Sequence, residues 1–204
     1  RECTAAGAFT LNVVKASPVL LTKQNLAKGK ARAVVANSGN ANACAPQGEE
    51  NAERMCAAAA HIIGCKAENV LVSSTGVIGQ TLNVEAIEKG IPDLYAALDA
   101  SPAASDAAAH AIMTTDTKPK EVAYEFEIGG KTVRIGGMCK GSGMIHPDMC
   151  TMLCFITSDV AISKPLLAEA LRSHVEDTFN MISVDGDTST NDTVILMANG
   201  EAGN

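Results

Sequence analysis

Residues 146–162 read HPDMCTMLCFITSDVAI, a polar lead-in that gives way at Thr151 to an almost unbroken apolar run. Leu153, Cys154, Phe155 and Ile156 follow one another with no polar residue between them, so both faces of this segment need cover. A short run of that kind reads as a strand buried on both sides of a sheet. A helix is expected next over 164–174, and TVILMANG (193–200) reads as a further strand. Upstream, EVAYEFEIGGKTVRIGG (121–137) is a hairpin, with Tyr124, Phe126 and Ile128 alternating and Gly129-Gly130 as a two-residue turn.

The N-terminal half repeats the interleaving. AAGAFTLNVVK (5–15) is a strand, and Ser17 is placed as the cap of a helix with Pro18 at its first position and Gly29 at its close. ARAVVANSG (31–39) is a buried strand that empties into the polar loop NSGNANACAPQG (37–48). An Ala-rich helix spans 49–63 and stops at Gly64, and NVLVSSTGVIG (69–79) is a strand ending in a Ser/Thr/Gly turn. Helices fill 83–113, with breaks expected at Gly90-Ile91-Pro92 and Ser101-Pro102. Mixed strands with covering helices make the class α/β or α+β.

Composition narrows the function classes. The 204 residues carry a net charge of -7, with 47% apolar and 3% aromatic residues and no Trp. Without a basic cluster or stacking aromatics, a nucleic-acid or anionic-membrane partner is not expected. No apolar run approaches the ~20 residues of a membrane-spanning helix. Seven cysteines, an odd number with no CxxC pair, fit free thiols in a cytoplasmic protein better than a disulfide scaffold or a zinc site.

Several tempting motifs fail. Gly136-Gly137-Met138-Cys139-Lys140-Gly141-Ser142-Gly143 lacks the glycine before and the Ser/Thr after Lys140 that a phosphate loop needs. His61, His110, His146 and His174 have no metal spacing. SVDGDTSTND (183–192) lacks the terminal Glu of a calcium loop and reads as an Asx-rich turn. No metal or bound cofactor is expected. On its residues alone, Thr151 is a strand starter. It can also attack the preceding carbonyl, cut the chain, and use its freed amine (unperturbed pKa ~7.7–8.0) as base for its own hydroxyl. Such a nucleophile needs an oxyanion hole, and SSTGVIG (73–79) is the best donor turn in the chain.

Four segments, NSGNANAC, SSTGVIG, IMTTDTKPK and KGSGMIHPDMCTMLCFITSD, together closely resemble the ornithine acetyltransferase (glutamate N-acetyltransferase) family, in the family's order and across essentially the whole chain. The resemblance implies a self-processing sandwich fold of mixed sheets with covering helices, the DmpA-like fold of self-cleaving aminopeptidases. It implies transfer of acetyl from N-acetylornithine to glutamate through an acetyl-threonine, with acetyl-CoA left open as a second donor. Thr151 matches the nucleophile and first β-chain residue, and Cys150-Thr151 the cleavage site. Thr75 and Gly76 match the oxyanion-hole pair, and Thr117 and Lys140 match substrate-holding positions. By the residues alone, Thr75 would be a turn hydroxyl and Lys140 a solvated loop lysine.

The resemblance divides the chain into an α-chain region, 1–150, with its N-terminus truncated, and the start of a β-chain region, 151–204, with the rest missing. It implies a heterotetramer of α and β chains. Cys150 departs from the family's usual alanine and adds a competing thiol. The rival readings are a self-processing aminopeptidase or amidase, with water as acceptor, and an uncleaved, inactive module.

Overall fold

The computed structural model describes residues 1–144 and 152–204. Its frame is a six-stranded sheet whose two central strands are the apolar runs of the C-terminal segment. These are β7 (Leu153–Ser158) and β8 (Thr193–Ala198), paired in parallel, Leu153 opposite Thr193. On one side, β8 pairs antiparallel with β1 (Cys3–Phe9), which carries the two-residue β2 (Lys30–Ala31) at the edge. On the other, β7 pairs antiparallel with β6 (Lys131–Lys140), and β5 (Lys120–Ile128) closes the order β2-β1-β8-β7-β6-β5. A second, two-stranded sheet pairs β3 (Ala33–Asn40) with β4 (Val70–Val77) in parallel.

The absence of alternation in the 151–162 run has the physical cause expected of it, because both faces of the sheet are covered. Met152, Cys154 and Val194 pack with Leu167, Leu171 and Val175 of α5 (Lys164–Val175) on one face. Leu153, Phe155, Ile195 and Met197 pack on the other with Leu71 of β4 and Leu26 of α1 (Ser17–Ala27). Beyond β4, the helix α2 (Gly48–Ile63) buries Ala52, Met55, Cys56 and Ala59 against Val70 and Val72. Successive layers of helix and sheet are therefore held by alternate side chains of the same strands.

Three local expectations need correction. The first strand stops at Phe9 and does not run to 15; the Thr10 hydroxyl turns inward to Ser189 O (2.7 Å) and ends the ladder. The cap of α1 is Ala16, with Ser17 already helical, and no side chain caps that end. No break occurs at Gly90-Ile91-Pro92: α3 (Val84–Ala96) runs through Pro92. Val84, Ile87 and Ile91 form one stripe packed into the α2 layer, and this burial offsets the hydrogen bond the proline removes. The second break holds, since Ser101 caps α4 (Pro102–Ala111) by accepting from the Ala104 N–H. Gly129 and Gly130 both take positive φ (59° and 74°), as a two-residue hairpin turn requires. β5 lies at the sheet edge with every residue exposed, and its Glu and Lys side chains suit an uncovered edge.

Candidate active site

Lys140 ends β6 on the same face as Met138, which packs in the layer shared with Leu71 of β4. Strand alternation therefore turns its side chain toward the end of β4, where Thr75 stands. It is no solvated loop lysine, being only 2% exposed. Its Nζ donates to Thr114 Oγ1 at 2.8 Å and to Thr75 Oγ1 at 3.3 Å, and lies 3.8 Å from Asp116 Oδ2. Burial is the largest influence on Lys140 and pushes its pKa down, while the Asp116 charge opposes the shift. A buried ammonium held between two hydroxyls is suited to a carboxylate or a developing oxyanion.

Asp116 is the counter-charge. Its side chain is fully buried, accepting from Lys120 Nζ at 2.6 Å, Gly141 N at 2.7 Å and Thr114 N at 3.4 Å. Burial would raise its pKa, but the hydrogen bonds from Lys120 and Gly141, with the Lys140 charge, hold it below the usual carboxylate value. A buried charge in this state is stabilised only as part of its network.

The expected turn at Thr75-Gly76 is instead strand: both residues lie in β4, opposite Ser38 and Gly39 of β3, and the chain bends only after Val77. Gly76 has φ +133°, and a Cβ there would stand 2.2 Å from the Gly39 carbonyl carbon and 2.5 Å from Asn40 N, so only glycine fits. Asn191 Nδ2 donates to Ser74 O (2.8 Å) and Ala41 O (2.6 Å), and Ser74 Oγ donates to Asn37 Oδ1 (2.6 Å). The polar loop after β3, the end of β4 and the start of β8 are thereby joined at one point.

Thr151 and Cys150, assigned from sequence as nucleophile and cleavage site, lie outside the described residues. The peptide nitrogen that follows Thr151 is Met152 N, and it donates to Asp192 Oδ1 at 2.9 Å, while Met152 O accepts from Thr193 N at 2.9 Å. Asp192 is wholly buried, and among the described residues its Oδ2 has no hydrogen-bond partner. Burial dominates and pushes its pKa up to about 8, against the Met152 N–H and the Lys140 charge. Thr117 is exposed in the loop after α4 and, among the described residues, joins none of the contacts around Lys140 Nζ, which are to Thr114, Thr75 and Asp116. Among the described residues, no group of His, Cys, Asp and Glu is arranged to hold a metal ion, and no helix is long and apolar enough to cross a membrane.

The ArgJ family model matches residues 1–204. The chain belongs to the ArgJ family. It is 55% identical over 203 residues to the arginine biosynthesis bifunctional protein ArgJ of Symbiobacterium thermophilum, covering 99% of this chain and 50% of that protein. It is 50% identical over 206 residues to the glutamate N-acetyltransferase of Methanocaldococcus jannaschii, covering 100% of this chain and 51% of that protein. The chain thus spans about half the length of the curated relatives it matches. Among solved structures, it is similar to the ornithine acetyltransferase of Mycobacterium tuberculosis complexed with ornithine, with TM-score 0.63 and 34% identity, covering 75% of this chain and 79% of that one.

Family membership leaves several residues of this site unassigned by the sequence reading. Asp116 stood inside IMTTDTKPK, but nothing in its spacing showed that it would be buried beside two lysines. Asn191 and Asp192 stood at the end of a segment read as an Asx-rich turn. The turn is real, yet its last residues enter the core. A polar Asn-Asp pair directly before the apolar run TVILMA was the available signal.

Proposed function

We propose that this chain moves the acetyl group of N2-acetyl-L-ornithine to L-glutamate through an acetyl-threonine at Thr151, after self-cleavage of the Cys150–Thr151 bond. The observation that carries the reading is Lys140: a buried ammonium bonded to Thr75 Oγ1, on the strand next to the one that begins just after Thr151. Membership in a family whose relatives are named for glutamate N-acetylation and arginine biosynthesis supports the substrate pair and the pathway. A relative solved with ornithine supports the leaving group.

In this reading the Thr151 hydroxyl adds to the Cys150 carbonyl carbon, the C–N bond breaks, and the Thr151 amine takes a proton. Water then hydrolyses the ester, leaving Cys150 as a carboxylate and Thr151 as a new N-terminus. The amine accepts the hydroxyl proton as Thr151 Oγ attacks the acetyl carbonyl, and Thr75 Oγ1 and Gly76 N–H donate to the tetrahedral oxyanion. Ornithine departs with the proton, and the glutamate amine attacks the acetyl ester to regenerate Thr151. Lys140 favours the anionic groups by charge, and Thr117 contacts substrate from the loop rim. The chain's own residues supply nucleophile and base, so the reaction calls for no metal or cofactor. Residues 1–150 and 151–204 then belong to α and β chains that assemble as a heterotetramer in the cytoplasm.

Thr151→Ala tests the assignment. Intact mass should show an uncut chain, and an assay with N-acetylornithine and glutamate, run in parallel with acetyl-CoA as donor, should show no acetylglutamate. Normal cutting in that variant would contradict the role given to its oxygen, and free acetate in place of acetylglutamate from the parent protein would favour a hydrolase.

A further inference from the structure

β6 and β7 place two thiols opposite one another, for Cys139 and Cys154 are Cα partners in their antiparallel register. Asp159 N donates to Arg134 O one register step beyond the Ile135–Ser158 pair. Hydrogen-bonded and non-hydrogen-bonded pairs alternate along such a ladder, so Cys139–Cys154 falls on a non-hydrogen-bonded pair. Cα atoms in such pairs stand about 4.5 Å apart with side chains close together, within the ~4.4–6.8 Å that disulfides span. Both residues line an open cavity of about 400 Å³ with Lys120, Tyr124, Ile156 and Phe179, so a small molecule has a route to them.

The thiols are unequal. The proximity of the two thiols is the largest influence on each, holding Cys139 below its ordinary value and pushing Cys154 up. The charges of Lys120 and Lys140 also favour the Cys139 thiolate. Cys139, half-buried, is therefore the sulfur that an incoming electrophile meets as a nucleophile, and Cys154, 5% exposed, is the one placed behind it.

We propose that Cys139 and Cys154 form a redox-responsive pair that closes to a cross-strand disulfide beside Lys140, linking the segment before the 150–151 bond to the segment after it. The oxidant is a low-molecular-weight disulfide. The Cys139 thiolate attacks one of its sulfurs, forming a mixed disulfide and expelling one thiolate. Cys154 gives up its proton and attacks the Cys139 sulfur, expelling the second. Two protein thiols become one disulfide, the oxidant becomes two thiols, and two electrons pass to it.

The test is to incubate the purified protein with oxidised glutathione, alkylate under denaturing conditions, digest, and map the cysteines by mass spectrometry. The expected result is one linked peptide pair carrying Cys139 and Cys154, absent after dithiothreitol. In Cys154→Ser glutathione should remain trapped on Cys139, and in Cys139→Ser the linked pair should be lost. Full alkylation of both residues after oxidation, a linkage from either to Cys150, or glutathione trapped on Cys154 as fast in Cys139→Ser as in the parent would each overturn the proposal. On a non-reducing gel, a cut chain should run as one linked species and an uncut chain as one chain. The peptide map is the same in both, so failure of self-cleavage and failure of this proposal are read separately.

Discussion

Replacing Asp192 with asparagine should flatten the dependence of stability on pH. The carboxyl is wholly buried, with one oxygen accepting from Met152 N and the other without a partner among the described residues. Burial carries its pKa from 3.8 to about 8. Between those values the folded chain holds a proton that the unfolded chain has lost. A raised folded pKa gives stability that is full below about pH 4 and is lost as pH rises toward 8. At ~1.36 kcal/mol per unit, the loss from pH 5 to pH 8 is at most roughly 4 kcal/mol. Asparagine keeps an acceptor for the Met152 N–H but cannot ionise. Its amide N–H groups need partners the site was not built for, so the variant should lie about 1–3 kcal/mol below the parent near pH 5 and hold that level, and the two curves should cross as the parent falls toward pH 8. Urea unfolding midpoints measured at several pH values on parent and variant, compared as a difference, remove the contribution of every other titrating group. Equal slopes in the two proteins, or a parent curve flat from pH 5 to pH 8, would refute the claim that a neutral carboxyl is buried beside residue 152.

Three further outcomes are expected. Gly76→Ala should destabilise by about 2–4 kcal/mol in chemical denaturation, because a Cβ at φ +133° meets the Gly39 and Asn40 backbone, which has no rotamer to move; a loss below 0.5 kcal/mol would show that this end of β4 relaxes freely. Asp116→Ala should cost about 3–5 kcal/mol, since it strips the buried Lys140 and the half-exposed Lys120 of their shared partner, whereas Asp116→Asn should cost less by keeping an acceptor for the Gly141 N–H. Thr75→Ala should lower turnover by ~10²-fold while thermal melting stays near that of the parent, as expected for one lost oxyanion donor; unchanged turnover would move that role elsewhere.

The layers of this fold were legible wherever one local cause decides the structure. The uninterrupted apolar run after Thr151 predicted a strand covered on both faces, and Leu153 and Cys154 do pack into opposite layers. Gly64 and Gly129-Gly130 marked a helix end and a hairpin because positive φ is a property of single residues. Misreadings arose where tertiary contacts overrule local preference. Pro92 continues a helix since Val84, Ile87 and Ile91 are gripped by α2, and the first strand ends early because Thr10 finds a partner 179 residues away.

The site divides in the same way. Thr75 and Lys140 were singled out by motif, and the fold brings them within 3.3 Å. Motif alone gave no warning that Lys140 would be buried, since that follows from β6 pairing with β7 beneath β4. Asp116, Asn191 and Asp192 escaped notice because their importance lies in long-range partners: Lys140, Ser74 and Met152 respectively. A buried polar group is recognisable only once it is known what covers it.

The central claim is that the hydroxyl at position 151 carries the acetyl group. Purified protein should be mixed with N-acetylornithine in the absence of glutamate, quenched in acid and sequenced by tandem mass spectrometry. The account predicts a fragment beginning at Thr151 with one acetyl group on its side-chain oxygen, discharged when glutamate is added. An acetyl group on any other residue, or an unmodified Thr151 in protein that still produces acetylglutamate, would contradict it.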